Sequence, residues 1–215
     1  MNIALESILP LPLRDRFQDR KSSVWNTVLQ MEKGAYIKIK APSGSGKTTL
    51  IHILYHLRSD YQGLLLIDQK NIQTYQEEEL ATLRQNRLSI IFQDLRLFPN
   101  LTARENIELN RVLQNPYYPA SVIDEMAAAL GIRHIMEQET GICSYGEQQR
   151  VAIIRALVQP FECLLMDEPF SHLDQENTRK AAALIDAECK KRKAGLIITD
   201  LDEDAHFKYD HQYQL

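Results

Sequence analysis

Cysteine and long hydrophobic runs are both scarce in this sequence. The three cysteines, Cys143, Cys163 and Cys189, are odd in number and include no CxxC pair. Neither a disulfide framework nor a zinc site is therefore expected, and reduced thiols are favoured. The longest apolar runs, at 63–67 and 196–198, have the length of a strand and fall far short of the roughly 20 residues that span a membrane. No basic stretch precedes an apolar one at the N-terminus, so no secretory signal is predicted.

An excess of positive charge is missing as well. The chain has 25 Lys and Arg against 29 Asp and Glu, a net charge of −4 at pH 7, which gives no electrostatic reason to expect a nucleic-acid partner. What is present is ordinary for a globular protein: 215 residues, of which 44% are hydrophobic and 25% charged. This composition allows a full hydrophobic core and excludes collagen-like, disordered and coiled-coil classes.

Short strand-like runs alternate with longer amphipathic segments, which predicts an α/β fold with a largely parallel sheet. Residues 36–40 alternate as a strand does, and 90–92, 163–166 and 196–199 are continuous apolar runs typical of buried strands. The stretch from about 94 to 156 differs, because it contains no convincing strand. Within that stretch we predict a helix that begins with a capping box at Thr102 and another helix over 121–130. The last ten residues are predicted to form a polar tail.

A strand, a turn rich in Gly and Ser, and a helix follow one another around Lys47. The turn reads Ala41-Pro42-Ser43-Gly44-Ser45-Gly46-Lys47-Thr48, the GxxxxGK[ST] pattern with Ala41 in place of its first Gly. In this pattern the backbone N–H groups and the helix N-terminus surround the phosphates. Lys47 reaches the β- and γ-phosphates, and the Thr48 hydroxyl can ligate Mg²⁺. We therefore predict a nucleoside triphosphate site at residues 41–49, which include Thr49.

Two carboxylates stand at the end of a predicted buried strand, where Asp167 and Glu168 follow the apolar run 163–166. In a parallel sheet this strand end lies at the same edge as the phosphate loop. Asp167 could then bind Mg²⁺, and Glu168 could polarise a water for attack on the γ-phosphorus.

A third motif, Cys143-Ser144-Tyr145-Gly146-Glu147-Gln148, lies upstream, with Ser144 placed 23 residues before Asp167. Taken alone, Ser144 and Glu147 form a capping box that any helix can use. The segment also resembles the LSGGQ signature of ATP-binding-cassette (ABC) ATPases at Ser144 and Gly146. With all three motifs, the sequence from about 17 to 205 resembles an ABC-transporter ATP-binding subunit, closest to the export and lipoprotein-release types.

The resemblance assigns further residues. Gln93 is similar to the glutamine of the family's Q-loop, which contacts Mg²⁺ and relays to the membrane partner. Residues 171–174 are similar to the D-loop, which communicates between two subunits. For stacking on adenine the resemblance gives Phe17, with Trp25 as the alternative.

The resemblance also implies an architecture and a mechanism. We expect a P-loop NTPase core with a mainly parallel sheet, an antiparallel N-terminal β part and a helical subdomain at about 94–156, all in one domain over 1–215. ATP and Mg²⁺ are the implied cofactors, with Thr48, Gln93 and Asp167 as metal ligands and Lys47, Gln93 and Glu168 in catalysis.

The implied partners are a second ATP-binding subunit and an integral membrane transporter subunit. In the family two subunits meet head to tail, so Ser144 and Gly146 of one copy would bind the γ-phosphate held by the other; a homodimer is expected. The implied location is cytoplasmic, at the inner face of the cell membrane.

Two departures from the family pattern put activity in question. Asp200 stands where the family has its γ-phosphate-sensing switch histidine, and a carboxylate there would repel the phosphate. Tyr145 replaces the first Gly of the signature and is bulky beside a phosphate. We expect ATP binding with slowed hydrolysis. The alternative is an ATP-gated structural or regulatory module of a membrane complex that turns over little ATP.

Overall fold

The computed structural model describes residues 1–16, 22–113, 116–201 and 206–215. Within these ranges the helices and strands follow one another in a fixed order. They are β1 (Ile3–Pro10), β2 (Val28–Met31), β3 (Tyr36–Lys40), α1 (Lys47–Leu54), β4 (Tyr61–Ile67), β5 (Lys70–Asn71), α2 (Glu77–Asn86), β6 (Leu88–Ile91), α3 (Ala103–Val112), α4 (Ala120–Ala129), α5 (Tyr145–Val158), β7 (Cys163–Asp167), α6 (Gln175–Arg192), β8 (Gly195–Asp200) and β9 (His211–Gln214).

The larger sheet is parallel throughout, with the strand order β6-β7-β8-β3-β9. Its inner strands are buried on both faces because helices or the second sheet cover each side. Successive residues of β7 accordingly enter different cores. Leu165 packs with α1 on one face, and Leu164 packs with α5 and α6 on the other. The predicted parallel α/β core is confirmed.

The smaller sheet is antiparallel and has the order β2-β1-β4-β5. Its buried residues, among them Leu5, Leu29 and Leu65, share a core with α1 and with one face of the parallel sheet. Helix α1 therefore lies between the two sheets. This position fixes the start of α1, and with it the phosphate loop, from both sides.

Helices α3, α4 and α5 make up the segment between β6 and β7. Both capping boxes are present: Thr102 opens α3 with Glu105, and Ser144 opens α5 with Glu147. Between 94 and 156, apart from residues 114 and 115, the described backbone forms one isolated bridge and no strand. The three helices pack into the same core as α6 and the other face of the parallel sheet.

The prediction of a polar tail at the C-terminus is wrong. Strand β9 pairs with β3 in parallel and forms one edge of the larger sheet. An edge strand is held by backbone hydrogen bonds on one side, and its side chains do not need to be apolar. His211, Gln212 and Gln214 accordingly remain exposed, while Leu215 is buried.

All three cysteines are free and buried, in agreement with the expectation of reduced thiols. In the part of the chain that the structure describes, no helix is both long and apolar enough to cross a membrane.

Candidate nucleotide-binding site

The register of three parallel strands assembles the site. Thr199 of β8 lies between Ile39 of β3 and Asp167 of β7, and Asp200 lies beside Lys40. The phosphate loop follows β3 directly, so it starts at the edge where β7 and β8 end. This is the edge at which α/β proteins bind ligands.

The phosphate loop turns sharply at Gly46, whose φ of 100° lies in the left-handed region. A Cβ at this position would come within 2.8 Å of the Leu13 side chain and 3.3 Å of the Trp25 ring. Glycine is therefore required both for the backbone conformation and for the close packing. The tip of the loop, Pro42 to Gly44, is exposed, while Ala41 and Ser45 are buried.

Lys47 is buried beneath the loop, where its ammonium group has three partners. It donates hydrogen bonds to the backbone oxygens of Ala41 and Pro42, at 2.9 and 3.3 Å. Its third contact is an ion pair of 3.1 Å with Glu168. An ammonium group has three donors, and in this state all of them are engaged. A phosphate that approaches Lys47 must take the place of one of these partners.

Asp167 is almost fully buried at the end of β7. Its Oδ1 accepts a hydrogen bond of 2.7 Å from the Thr199 hydroxyl. Its Oδ2 is buried without a partner among the described residues, an arrangement that is costly for a carboxylate oxygen. A divalent cation beside this oxygen would remove the cost, so the donor set fits Mg²⁺.

Two further oxygen ligands for a hard cation such as Mg²⁺ line the same cavity as Asp167. The Thr48 hydroxyl lies 3.2 Å from Oε1 of Gln93, and both residues line one cavity with Asp167. Within the described chain no cluster of three or more His, Cys, Asp or Glu could hold an ion by itself. Such a site is typical of Mg²⁺, which binds through one or two carboxylates together with substrate phosphates.

The cavity has a volume of about 350 Å³. It is lined by Thr48, His52, Gln93, Asp94, Tyr145, Asp167 and His172. Four of these residues, His52, Asp94, Tyr145 and His172, were not among the predicted site residues. For His52 a signal existed, because it lies four residues after Thr48 on α1 and therefore on the same helix face. Burial, with Arg96, lowers the pKa of His52, so its ring is neutral at pH 7.

Glu168 has a φ of 46°, in the left-handed region, directly after β7. This turn points its carboxylate back into the site, where Oε2 accepts a hydrogen bond of 3.3 Å from Gln93 and Oε1 is paired with Lys47. Backbone strain of this kind persists only where the surrounding structure holds it, here through the partners of the carboxylate. The structure thus brings Lys47, Thr48, Gln93, Asp167 and Glu168 together.

In the part of the chain that the structure describes, the signature residues Ser144 and Gly146 are not joined to the phosphate loop. Ser144 caps α5 and is bound to Glu147, and no hydrogen bond or ion pair between described residues joins Ser144 or Gly146 to residues 41–49. Tyr145 turns toward the cavity of its own chain. Its hydroxyl lies 3.4 Å from the Gln93 carbonyl, and its ring lies 4.2 Å from that of His172.

Two residues were predicted as candidates for stacking on adenine. The first, Phe17, lies outside the described residues. The alternative, Trp25, is 3% exposed and packs under Gly46 in the core between the two sheets. Trp25 is therefore not available to stack on a base in this conformation.

Asp200 ends β8 next to the phosphate loop. Its backbone oxygen accepts a hydrogen bond of 3.1 Å from the Ala41 amide, and its Oδ1 accepts one of 2.7 Å from the Leu201 amide. The position expected for the switch histidine thus adjoins the start of the loop and carries a carboxylate.

Comparison with known proteins gives a consistent result. A family model described as "ABC transporter" matches residues 24–171. The chain is 34% identical over 179 residues to the uncharacterized ABC transporter ATP-binding protein YvcR of Bacillus subtilis, covering 82% of this chain and 69% of YvcR. It is 34% identical over 177 residues to the lipoprotein-releasing system ATP-binding protein LolD of Legionella pneumophila, covering 81% and 78%. The chain is also 35% identical over 151 residues to the putative ABC transporter ATP-binding protein MG065 homolog of Mycoplasma pneumoniae. This match covers 70% of this chain but only 32% of that longer relative.

Solved structures agree with the sequence relatives. The dimeric structure of MJ0796, a bacterial ABC transporter cassette, matches with a TM-score of 0.77 at 26% identity, covering 92% of this chain and 87% of that one. A dimeric post-hydrolysis state of MJ0796 bound to ADP and Pi matches with a TM-score of 0.76 at 25% identity, covering 93% and 88%. The family model, the relatives and the phosphate-loop fold agree: this chain belongs to the ABC transporter family and is an ATPase of its ATP-binding-cassette type.

Proposed function

We propose that this chain is the ATP-binding subunit of an ABC transporter or a related membrane complex. It binds ATP with Mg²⁺, pairs head to tail with a second copy, and transmits binding and slow hydrolysis to a separate transmembrane partner. The observation that carries the proposal is the convergence of Lys47, Gln93, Asp167 and Glu168 at one edge of the parallel sheet.

ATP binding rests on the exchange of partners at Lys47. The exposed loop tip and the start of α1 offer backbone N–H groups to the phosphates. Lys47 then contacts the β- and γ-phosphates in place of Glu168. Because the same ammonium group is paired with Glu168 in the structure, a phosphate that takes over Lys47 also frees this carboxylate for catalysis.

Mg²⁺ is assigned to Thr48, Gln93 and Asp167, on the grounds of the buried Oδ2 of Asp167 and the hydroxyl and amide oxygens beside it. When bound, the ion neutralises charge on the β- and γ-phosphate oxygens. Thr199 keeps the Asp167 carboxylate in orientation through its own hydroxyl.

Hydrolysis is assigned to Glu168. Once separated from Lys47, its carboxylate can accept a hydrogen bond from a water and orient it for in-line attack on the γ-phosphorus. Gln93 donates to the same carboxylate and thereby helps to fix its direction.

The second half of the site is assigned to another copy of the chain. The first turn of α5, at Tyr145 and Gly146, has backbone N–H groups without intrahelical acceptors, and such a helix start attracts anions. Since no hydrogen bond or ion pair among the described residues joins Ser144 or Gly146 to the phosphate loop of their own chain, we assign them to the γ-phosphate of a partner. The dimeric structures of MJ0796, which this fold matches, support the arrangement.

A membrane partner and a cytoplasmic location at the inner membrane face belong to the same proposal. They are supported by the names of relatives, such as the lipoprotein-releasing system ATP-binding protein LolD and the macrolide export ATP-binding/permease protein MacB. The alternative of an ATP-gated module with little turnover is favoured by one observation: the residue whose backbone bonds to Ala41 at the start of the phosphate loop is an aspartate, Asp200.

The exchange at Lys47 predicts opposite effects of two substitutions. Glu168→Gln removes the base and the ion pair, so ATP should bind as tightly as before or more tightly, while turnover falls at least about a hundredfold. Lys47→Ala should lose ATP binding. Equilibrium binding of labelled ATP and phosphate release test both effects, with Glu176→Gln, an exposed carboxylate paired to Lys180, as the matched control. Weaker ATP binding by Glu168→Gln would contradict the exchange.

The orphaned carboxylate oxygen predicts how Mg²⁺ acts on stability. Asp167→Asn should leave the unfolding temperature of the nucleotide-free protein unchanged or higher, because an unpaired buried charge is removed. Bound ATP at a hundred times its Kd should stabilise the natural chain by about 2–3 kcal/mol in total. Asp167→Asn should lose the part of this stabilisation that depends on Mg²⁺. Thermal unfolding with and without Mg²⁺ measures this. Glu176→Gln, at the exposed carboxylate paired to Lys180, should behave as the natural chain; a full Mg²⁺ effect in Asp167→Asn would refute the assignment.

If the carboxylate of Asp200 slows ATP hydrolysis, its replacement should raise the rate of hydrolysis. In single-turnover experiments Asp200→His should hydrolyse ATP about tenfold faster or more, since one added donor at a developing charge is worth that much. Asp200→Asn separates the two causes, because it removes the repulsion without adding an imidazole. Hydrolysis by the natural chain as fast as by Asp200→His would exclude the idea. Phosphate release by the natural chain that stops near one per site would favour the low-turnover module.

A further inference from the structure

The turn that follows Gln93 adopts an unusual backbone conformation. Leu95 and Arg96 have φ values of 57° and 49°, so two successive residues other than glycine lie in the left-handed region. Such residues normally occur singly, because their Cβ atoms crowd the backbone. The turn is further closed by a hydrogen bond of 3.1 Å from the Leu95 amide to the Phe92 oxygen and one of 2.6 Å from the Arg96 amide to the Asp94 oxygen. Another such pair, Asp68 and Gln69, lies in the turn between β4 and β5; the pair at Leu95 and Arg96 differs in having a side chain from another element bound to its backbone.

The stabilising group is the guanidinium of Arg155, in the last turn of α5. It donates one hydrogen bond of 2.6 Å to the Leu95 oxygen and another of 2.6 Å to the Arg96 oxygen. The planar fork of Arg can donate to two acceptors at once, and here its two terminal nitrogens bind two successive backbone oxygens. Burial lowers the pKa of Arg155 to about 10, so the group stays charged at neutral pH. Both bonds are therefore charge-assisted.

The position of Gln93 depends on this turn. Its side chain touches both functional groups of the site, accepting from the Thr48 hydroxyl and donating to Glu168. Leu95, two residues further on, is 2% exposed and anchors the turn in the protein. If the turn relaxes, the Gln93 amide moves with it, and a displacement of about 1 Å at a reacting centre can cost a hundredfold in rate.

We propose that Arg155 is a positioning residue for ATP hydrolysis, which acts by holding the turn over 93–96 so that Gln93 stays between Thr48 and Glu168. Arg155 itself does not line the cavity at Asp167. The proposal rests on the roles proposed above for Gln93 and Glu168, and it adds a requirement in α5, the helix that the signature opens. The helix that is assigned to the partner's ATP thereby also sets the geometry of the site in its own chain.

The chain contains a matched control. Arg192 is 3% exposed and donates to the Leu157 and Gln159 oxygens at 2.6 and 2.7 Å. Like Arg155, it joins its own helix to two nearby backbone oxygens, but it lies away from the cavity at Gln93. Replacing either Arg by Lys keeps the charge and removes the bidentate fork. A loss of general stability should affect both variants, and a loss of positioning only one.

The test compares Arg155→Lys and Arg192→Lys in the full chain by ATP turnover. We expect Arg155→Lys to lower kcat about tenfold or more, with KM for ATP changed less than about threefold because Lys47 and the loop are intact. Arg192→Lys should keep kcat within about twofold, whatever its unfolding temperature. Gln93→Ala supplies the decisive background: if Arg155 acts through Gln93, Arg155→Lys should cause no further loss there. Equal losses in both Lys variants, or losses that multiply with Gln93→Ala, would overturn the proposal.

Hydrogen exchange gives a readout that does not depend on turnover. The amides of Leu95 and Arg96 should exchange faster in Arg155→Lys, and in Arg155→Gln if the Lys variant does not fold, but not in Arg192→Lys. Unchanged exchange at these two amides would overturn the proposal even in a chain that hydrolyses ATP. If these amides exchange faster in Arg155→Lys but the natural chain has no ATPase activity, the proposed function is wrong, whereas Arg155 still holds the turn.

Discussion

The in-register pairing of β3, β8 and β7 is the constraint on which the site depends. Ile39, Thr199 and Asp167 lie side by side across three strands, so the phosphate loop, the carboxylate pair and Asp200 all lie at the same edge of the sheet. A slip of one residue in β7 would turn Asp167 to the opposite face of the sheet. The apolar runs that bury these strands on both faces make such a slip costly, and in this way hydrophobic packing sets the position of polar groups that it does not touch.

The ion pair between Lys47 and Glu168 is the second constraint on the site. A buried cation and a carboxylate in a left-handed turn satisfy one another. Leaving either of them unpaired in a buried place would be expensive. In the proposed function, phosphates take over Lys47 and release Glu168, so that binding prepares hydrolysis. The contacts of Tyr145 and Arg155 with the backbone between Gln93 and Arg96 connect α5 to the same site. A movement of the signature helix and a movement of Gln93 are then parts of one change.

The local features of this protein could be predicted from its sequence, and the non-local ones could not. The phosphate loop and both capping boxes each depend on a few adjacent residues, because backbone geometry and short-range hydrogen bonds determine these features. The central strands followed from their continuous apolar runs. By contrast, β9 is held by backbone bonds to β3 from across the chain, and its polar side chains resemble those of a tail. Tyr145 reaches the cavity only because the helical segment folds back on the sheet, and His172 reaches it from the loop between β7 and α6. The spacing between motifs does not report either position. Arg155 belongs to the same group, because its partners lie about 60 residues away.

The central claim is that one chain contains two complementary halves of a nucleotide site, one at Lys47 and one at Ser144, and that ATP joins two copies. Sedimentation velocity of the Glu168→Gln chain tests this most directly, because bound ATP is not consumed during the run. The account predicts a monomer without nucleotide and a particle of twice that mass with saturating ATP and Mg²⁺, with no shift for Lys47→Ala. A Glu168→Gln chain that binds ATP and remains a monomer would contradict it.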